Sequence, residues 1–218
     1  MLNAERRTSH IRGTRHAYTF AMAAPAQMIT PWPERLIREL EANDQRAKSL
    51  AAQLTLEQLN WQPAPGAWSI GQCLEHLAIA NELYLDAIAA ALEGKSGNAV
   101  QSIAPGWFSR WFIRSFIEPS PQTKRAPAPK KIRPNSQVPT TVLDRFLRSN
   151  EKAREVVRRA AGCNVNRIRF KNPFIRGIRF TVGTGLEIIS GHERRHLLQG
   201  DNVRSAPEFP RMTAAVVL

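Results

Sequence analysis

Four segments of the sequence carry apolar residues at three- and four-residue spacing, and none sustains the two-residue alternation of a half-buried strand. Each pattern predicts a helix with one apolar face, and such a face must pack against another element. Four helices of this kind favour an all-α fold, a four-helix bundle. The predicted helices run from Pro31 to about Leu54, from Ser69 to about Glu93, from Thr141 to about Gly162 and from Thr181 to about Gly200.

The start of the second helix is the best-marked boundary in the chain. Ser69 and Gln72 have the spacing of a capping box, in which the Ser69 hydroxyl accepts from the Gln72 N–H and the Gln72 side chain reaches back. Trp68 precedes the cap and is expected to pack on Cys73, which would fix the angle at which the chain enters the helix. The cap places His76 on this helix.

The 218 residues suffice for one ordinary domain. We predict a bundle domain over residues 29–210, preceded by a disordered leader or mis-called start at residues 1–28 and followed by a tail at residues 211–218. Residues 94–137 form a long, basic, Pro-rich segment between the second and third helices. Because proline cannot continue a helix beyond its first turn, this segment is expected to wrap outside the bundle.

Four aromatic residues of this segment carry too much apolar area to remain in water together, so some are expected to dock on the bundle. They are Trp107, Phe108, Trp111 and Phe112, and the cations expected to stay solvated beside them are Lys124, Arg125, Lys130, Lys131 and Arg133. A lid over one end of the bundle, which keeps bulk water out of a site there, is the favoured role. At the other end of the bundle the segment would instead form a surface for a partner or a membrane.

The formal charge of +13 is regional, because residues 101–180 hold eighteen basic and four acidic side chains. A solvated basic surface is the simplest interpretation, and a patch for anionic ligands or lipid is the alternative. Nucleic acid is disfavoured, since no RNA- or DNA-binding signature accompanies the charge.

No apolar run reaches the roughly 18 to 20 residues of a membrane span. Two cysteines outside any C-x-x-C pair fit a reducing cytoplasm.

Three of the five histidines fall on two predicted helices. His192 and His196 are about 40° apart around the helix axis, so both can bind a single ion. His76 flanks the apolar stripe of the second helix. Three neutral imidazole nitrogens leave an open coordination position, which is typical of a reactive rather than a structural metal site. The alternative is that these are core or rim histidines with ordinary hydrogen-bond partners.

His192, Glu193 and His196 also match the His-Glu-x-x-His signature of zinc peptidases, in which the glutamate is the general base. A peptidase is disfavoured, because no extended His-x-x-Gly-x-x-His motif follows and no strand-rich half precedes this one. Glu193 lies about 100° from His192 on the helical wheel, where it is expected to line the pocket or to pair with an arginine.

Two motifs together resemble the DinB/YfiT-like superfamily. One runs from Trp68 to Leu77, and the other comprises Asn172-Pro173-Phe174 and residues 191–199. The resemblance covers about residues 30 to 210 and implies an up-down-down-up four-helix bundle. It also implies a site for a divalent metal ion, zinc or nickel, formed by His76, His192 and His196.

The resemblance implies an activity as well, since characterised members of the superfamily are thiol transferases and isomerases. We therefore expect a metal-dependent thiol transferase, or a related enzyme, that acts on a small electrophile with a low-molecular-weight thiol. Glu193 and Gln199 are candidates for catalytic or substrate contacts. The alternative function is that of a non-catalytic, stress-related metal-binding protein. The oligomeric state that we consider is a homodimer.

Overall fold

The four predicted helices are present in the computed structural model, which describes residues 31–119 and 127–211. They are α1 (Trp32–Ala51), α3 (Ile70–Ala91), α5 (Val142–Ala160) and α6 (Val182–Arg204). The shorter elements are α2 (Leu56–Asn60), α4 (Trp107–Phe112) with a π-helical turn (Ile113–Ile117), a 3-10 turn (Lys130–Ile132), and strands β1 (Arg169–Lys171) and β2 (Arg179–Thr181). The predicted leader, and residues 212–218 of the predicted tail, lie outside the described residues.

Two of the four long helices, α3 and α6, begin at a side-chain cap. At α3 the Ser69 hydroxyl accepts from the Gln72 N–H at 3.1 Å, and the Gln72 side-chain oxygen accepts from the Ser69 N–H at 3.0 Å. This confirms the predicted capping box. At α6 the Thr181 hydroxyl accepts from the Thr184 N–H at 3.2 Å. The two caps fix the residues at which α3 and α6 begin.

The four long helices form a bundle in which α1 and α3 each pack against both α5 and α6. Two apolar clusters fill it, one around Ile88 and Phe180 and the other around Leu74 and Leu197. On every long helix a short polar stretch separates the residues of one cluster from those of the other. The polar residues are Asn43 and Asp44 on α1, Asn81 on α3, Ser149 and Asn150 on α5, and Ser190 and Glu193 on α6. A buried polar layer therefore crosses the middle of the core.

Strands β1 and β2 and helix α2 were not predicted. Strands β1 and β2 pair antiparallel with Phe170 opposite Phe180, and both side chains are buried. Three residues are too few to give an alternation signal, so the sequence pattern misses such strands. Helix α2 lies between the first two predicted helices, and a second capping box between Thr55 and Gln58 starts it.

The described parts of the Pro-rich segment, residues 94–119 and 127–137, contact the bundle from outside. Phe108 and Phe112 pack on Phe180 with ring centroids 6.2 and 5.2 Å apart, whereas Trp107 is 76 % exposed and Trp111 is 46 % exposed. The expectation that some of the aromatic residues dock is thus confirmed for the two phenylalanines. Lys130, Lys131 and Arg133 are exposed as expected, and Lys124 and Arg125 lie outside the described residues. No helix in residues 31–119 or 127–211 is long and apolar enough to cross a membrane.

Candidate metal centre

The fold brings His76, His192 and His196 together. His76 lies near the start of α3, and it faces the middle of α6, where the other two are one turn apart. One ring nitrogen from each residue can be chosen so that all three lie within 4.8 Å of one another. The Nε2 atoms of His76 and His192 are 3.2 Å apart. Ligands about 2.0–2.1 Å from a tetrahedral ion are themselves roughly 3.3–3.4 Å apart, so this spacing fits a single ion.

The outward nitrogens of two of these rings have partners. His76 Nδ1 lies 2.6 Å from the carbonyl oxygen of Ile132, and His196 Nδ1 lies 2.9 Å from the side-chain oxygen of Gln199. Because both partners are acceptors, each Nδ1 is the protonated nitrogen and each Nε2 keeps its lone pair. Gln199, a candidate for a catalytic or substrate contact, therefore orients the ring of His196. Outer partners of this kind are usual around metal-ligating histidines.

All three imidazoles are held neutral. Burial lowers the pKa of His76 to about 4 and that of His196 to about 3, and it lowers the pKa of His192 well below its usual value. The positive charge of Arg195 acts in the same direction on all three. At neutral pH the cluster therefore presents unprotonated nitrogens, the form in which histidine binds a metal.

Trp68 is a residue of the site that the sequence does not predict. Its ring lies against His76, with centroids 4.7 Å apart, and stacks on His196 at 5.5 Å. We predicted packing on Cys73 from the position of Trp68 next to the cap, and the structure gives the side chain a contact with the histidines. An aromatic residue beside a helix cap gives no signal that distinguishes these two roles.

A cavity of about 320 Å³ opens beside the three histidines. Five aromatic rings line it, together with several aliphatic and a few polar side chains. The aromatic residues are Trp68, Tyr84, Phe112, Phe116 and Phe174. Cavities that hold small ligands commonly start at about 300 Å³, so the space suits a small molecule.

The Pro-rich segment forms one side of this cavity. Phe112 and Phe116 come from its helical part, and Pro127, Pro129 and Ile132 come from its second described part. Arg195 of α6 donates to the carbonyl oxygen of Phe116, which ties the helical part to the histidine-bearing helix. The segment thus lies over the three-histidine end of the bundle, the position that the lid interpretation requires.

Glu193 does not lie where it was predicted, at the pocket wall or beside an arginine. It is fully buried, and its carboxylate accepts from the side-chain amides of Asn43, Asn81 and Asn150 at 2.8, 2.8 and 3.2 Å. These asparagines come from α1, α3 and α5, so the 100° step from His192 directs Glu193 to the bundle axis. Burial raises the pKa of Glu193 to about 7, against the opposing effect of the amide donors.

Asn172 lines the cavity beside Tyr84. Its amide nitrogen donates to the Tyr84 hydroxyl at 2.8 Å, and its side-chain oxygen accepts from the N–H groups of Phe174 and Ile175, both at 2.8 Å. The sequence motif around Pro173 contains this residue but does not reveal its contact with α3.

Comparison with known proteins adds two findings. The sequence model of the DinB superfamily matches residues 39–199. Among solved structures, the chain is similar to YfiT from Bacillus subtilis, described as a probable metal-dependent hydrolase with an unusual four-helix bundle topology. The match has a TM-score of 0.52 at 15 % identity and covers 84 % of this chain and 91 % of that one, which shows a shared fold. No curated protein matches the chain significantly.

Proposed function

This chain belongs to the DinB superfamily, and we propose that it is a metal-dependent enzyme whose divalent ion is held by His76, His192 and His196. The observation that carries the proposal is the convergence of these three imidazoles, each neutral, with ring nitrogens within 4.8 Å of one another. Imidazole ligands suit zinc and nickel, the two metals we favour.

The donor set itself supports a bound cation. With Nδ1 of His76 and of His196 engaged as donors, the Nε2 atoms of these two residues are acceptors, and that of His76 lies 3.2 Å from Nε2 of His192. Acceptors gathered away from water are costly unless something satisfies them. A divalent ion does so for all three rings together, and a three-histidine set leaves a position open for a further ligand.

When bound, such an ion lowers the pKa of a coordinated thiol or water and so supplies a nucleophile at neutral pH. The side chains of the protein contribute orientation and exclusion of water. Ile132 and Gln199 fix the rings of two histidines through their Nδ1 atoms. Phe112 and Phe116 cover the cavity from the side of the Pro-rich segment, which limits the access of bulk water.

The reaction we propose is transfer of a low-molecular-weight thiol to a small electrophile. A bond forms between the thiol sulfur and the electrophilic carbon, and the bond from that carbon to its leaving group breaks. The leaving group departs with the bonding electron pair, and the thiol proton is released to solvent. Hydrolysis of a small electrophile by water is the second candidate, because the structurally similar YfiT is described as a probable metal-dependent hydrolase. A metal-binding protein without catalysis is the remaining alternative.

A zinc peptidase is not supported. That mechanism needs the glutamate of His-Glu-x-x-His next to the metal-bound water. Glu193 is 0 % exposed and is bonded to asparagines of three other helices. Its carboxylate is therefore absent from the cavity in which a peptide would be cleaved.

We also propose the up-down-down-up order of the four long helices. Contacts between α1 and α6 advance in the same direction, from Arg35–Glu187 to Arg46–Asp201, which supports a parallel pair. Contacts between α3 and α5 also advance together, from Asn81–Ser149 to Asp86–Lys152. The domain bounds of residues 29–210, the insertion at residues 94–137, cytoplasmic localisation and a homodimer stay predictions.

Turnover tests this function. Protein stripped of metal, then supplied with zinc or nickel, should consume a small electrophile in the presence of a thiol, and the stripped protein should not. Omission of the thiol separates thiol transfer from hydrolysis. If neither metal supports consumption of any electrophile in a broad panel, while the metal binds, the non-catalytic alternative is correct.

A further inference from the structure

The cavity beside the three histidines is built mainly from rings. Trp68 lies at the histidine end, Tyr84 and Phe174 face each other with centroids 5.2 Å apart, and Phe112 and Phe116 cover the side. Tyr84 is 3 % exposed, whereas the two phenylalanines of the covering segment are half-buried. A ligand bound in this cavity would leave water and would contact aromatic rings over most of its surface.

Three polar side chains of the wall, those of Asn81, Asn172 and Arg195, are engaged within the protein. Asn81 donates to Glu193, and Asn172 uses both its amide nitrogen and its oxygen in contacts with neighbouring residues. Arg195, the cation of the wall in the described part of the chain, donates to the carbonyl oxygen of Phe116. No carboxylate belongs to the wall formed by these described residues. The wall therefore offers little to a highly polar ligand.

Tyr84 supplies one directional contact. Its hydroxyl oxygen accepts from Asn172, so its own O–H is the part that can donate to a ligand. Burial raises the pKa of this hydroxyl, which keeps it protonated. Tyr84 follows His76 by eight residues on α3, which separates them by roughly 12 Å along the helix axis.

We propose that the three-histidine site acts on a predominantly apolar, aromatic small molecule. Such a molecule carries a metal-binding or reactive atom toward the histidines and a hydrogen-bond acceptor toward Tyr84. The proposal rests on the proposed function for the role of the metal, but the aromatic cavity exists without it. It narrows the substrate class from any small electrophile to one that buries a ring.

The first test uses metal-free protein and the neutral fluorescent probe N-phenyl-1-naphthylamine, whose emission rises in apolar surroundings. The wild-type protein should bind the probe, and benzyl alcohol should displace it far better than glycerol does. Phe116→Ala and Phe174→Ala should each weaken probe binding roughly tenfold, since each removes ring contact. Trp107→Ala is the control, because Trp107 lies on α4, directly before the π-helical turn that carries Phe116, is 76 % exposed and does not line the cavity.

The second test uses cobalt-loaded protein and two neutral thiols of similar acidity, benzyl mercaptan and 2-mercaptoethanol. The thiolate-to-cobalt absorption band reports binding directly. Benzyl mercaptan should bind roughly tenfold or more tightly, and Phe174→Ala should reduce that preference while leaving 2-mercaptoethanol unchanged.

The two proposals fail separately. Probe binding that benzyl alcohol displaces, without any binding of cobalt, would refute the metal-dependent function and leave the aromatic site supported. Cobalt binding with no preference between the thiols, or probe binding that is insensitive to both phenylalanine variants, would overturn the aromatic substrate class and leave the metal site intact.

Discussion

His76 donates through Nδ1 to the carbonyl oxygen of Ile132, 2.6 Å away. Ile132 closes the 3-10 turn of the Pro-rich segment, and its side chain lines the cavity. One hydrogen bond therefore orients a candidate metal ligand and also anchors the segment that covers it. Arg195 makes the corresponding link on α6 by donating to the carbonyl oxygen of Phe116. The covering segment and the histidine cluster are thus coupled through two backbone carbonyls.

Gln199 offers the clearest test of an orienting residue. Gln199→Leu removes the acceptor for His196 Nδ1, so we expect the affinity for zinc or cobalt to fall about 10- to 100-fold. Leu198→Ala is the control, because this neighbouring side chain is 40 % exposed and has no part in the cluster. Competition with a chromophoric chelator measures the metal affinity of both variants. An equal affinity in the two variants would show that Gln199 has no orienting role.

Metal affinity should vary little with pH in the range where ordinary histidines titrate. The folded-state pKa values are about 4 for His76 and about 3 for His196, and that of His192 is also strongly lowered. Protons therefore do not compete for these nitrogens until the pH falls far below 6.5. Cobalt affinity measured at about pH 7.5 and about pH 5.5 should be nearly constant. A steep loss across that interval would contradict the burial of the cluster.

The same shifts make the metal-free protein sensitive to acid. Because the folded-state pKa values are depressed, each histidine contributes stability above the unfolded value of about 6.5, and this stability is lost as the pH falls toward the folded value. Urea unfolding of chelator-treated protein should show a midpoint that declines steadily below about pH 6.5. In His76→Ala the midpoint should decline less steeply with falling pH. The same decline in the variant and the wild type would contradict the lowered pKa of His76.

Ser69→Ala should lower the free energy of unfolding by about 1 kcal/mol, because the Gln72 N–H loses its acceptor in a buried cap. Ser69→Thr keeps a hydroxyl and should retain most of the stability. Chemical denaturation of both variants gives the comparison. A wild-type midpoint in Ser69→Ala would mean that the capping bond contributes nothing to stability.

Glu193 should make stability depend on pH in the opposite sense to the histidines. Its folded-state pKa is raised to about 7, so its contribution is fully present below about pH 4.5 and is lost as the pH rises through 7. In chelator-treated protein, raising the pH from about 5 to about 8 should shift the stability difference in favour of Glu193→Gln by up to about 3 kcal/mol. Glu208→Gln, at an exposed carboxylate, should show no such shift. A pH-independent difference for Glu193→Gln would contradict the raised pKa.

Much of this fold follows from short-range patterns in the sequence. The apolar stripes and the Ser69 cap locate the helices, because helical period and capping depend on residues within a few positions of each other. The histidine cluster could be predicted because spacing places His192 and His196 on one face, while the resemblance to the superfamily adds His76. The contact of His76 with the other two histidines results from the packing of α3 against α6, which residue spacing does not predict.

The rest depends on long-range packing. Glu193 has the same spacing whether it faces the cavity or the bundle axis, and only the positions of Asn43, Asn81 and Asn150 on other helices decide between them. Trp68 likewise faces the histidines because α6 passes beside the cap of α3. Neither choice leaves a periodic signal in the sequence.

The metal content of the purified protein tests the central claim most directly. Wild-type protein and His76→Ala are stripped with a chelator, incubated with zinc, freed of excess metal and measured by elemental analysis, with circular dichroism as the check on folding. We predict about one zinc ion per wild-type chain, held by three histidines, and almost none in the folded variant. Equal zinc in the two proteins, or no zinc in the wild type, would contradict a site formed by His76, His192 and His196.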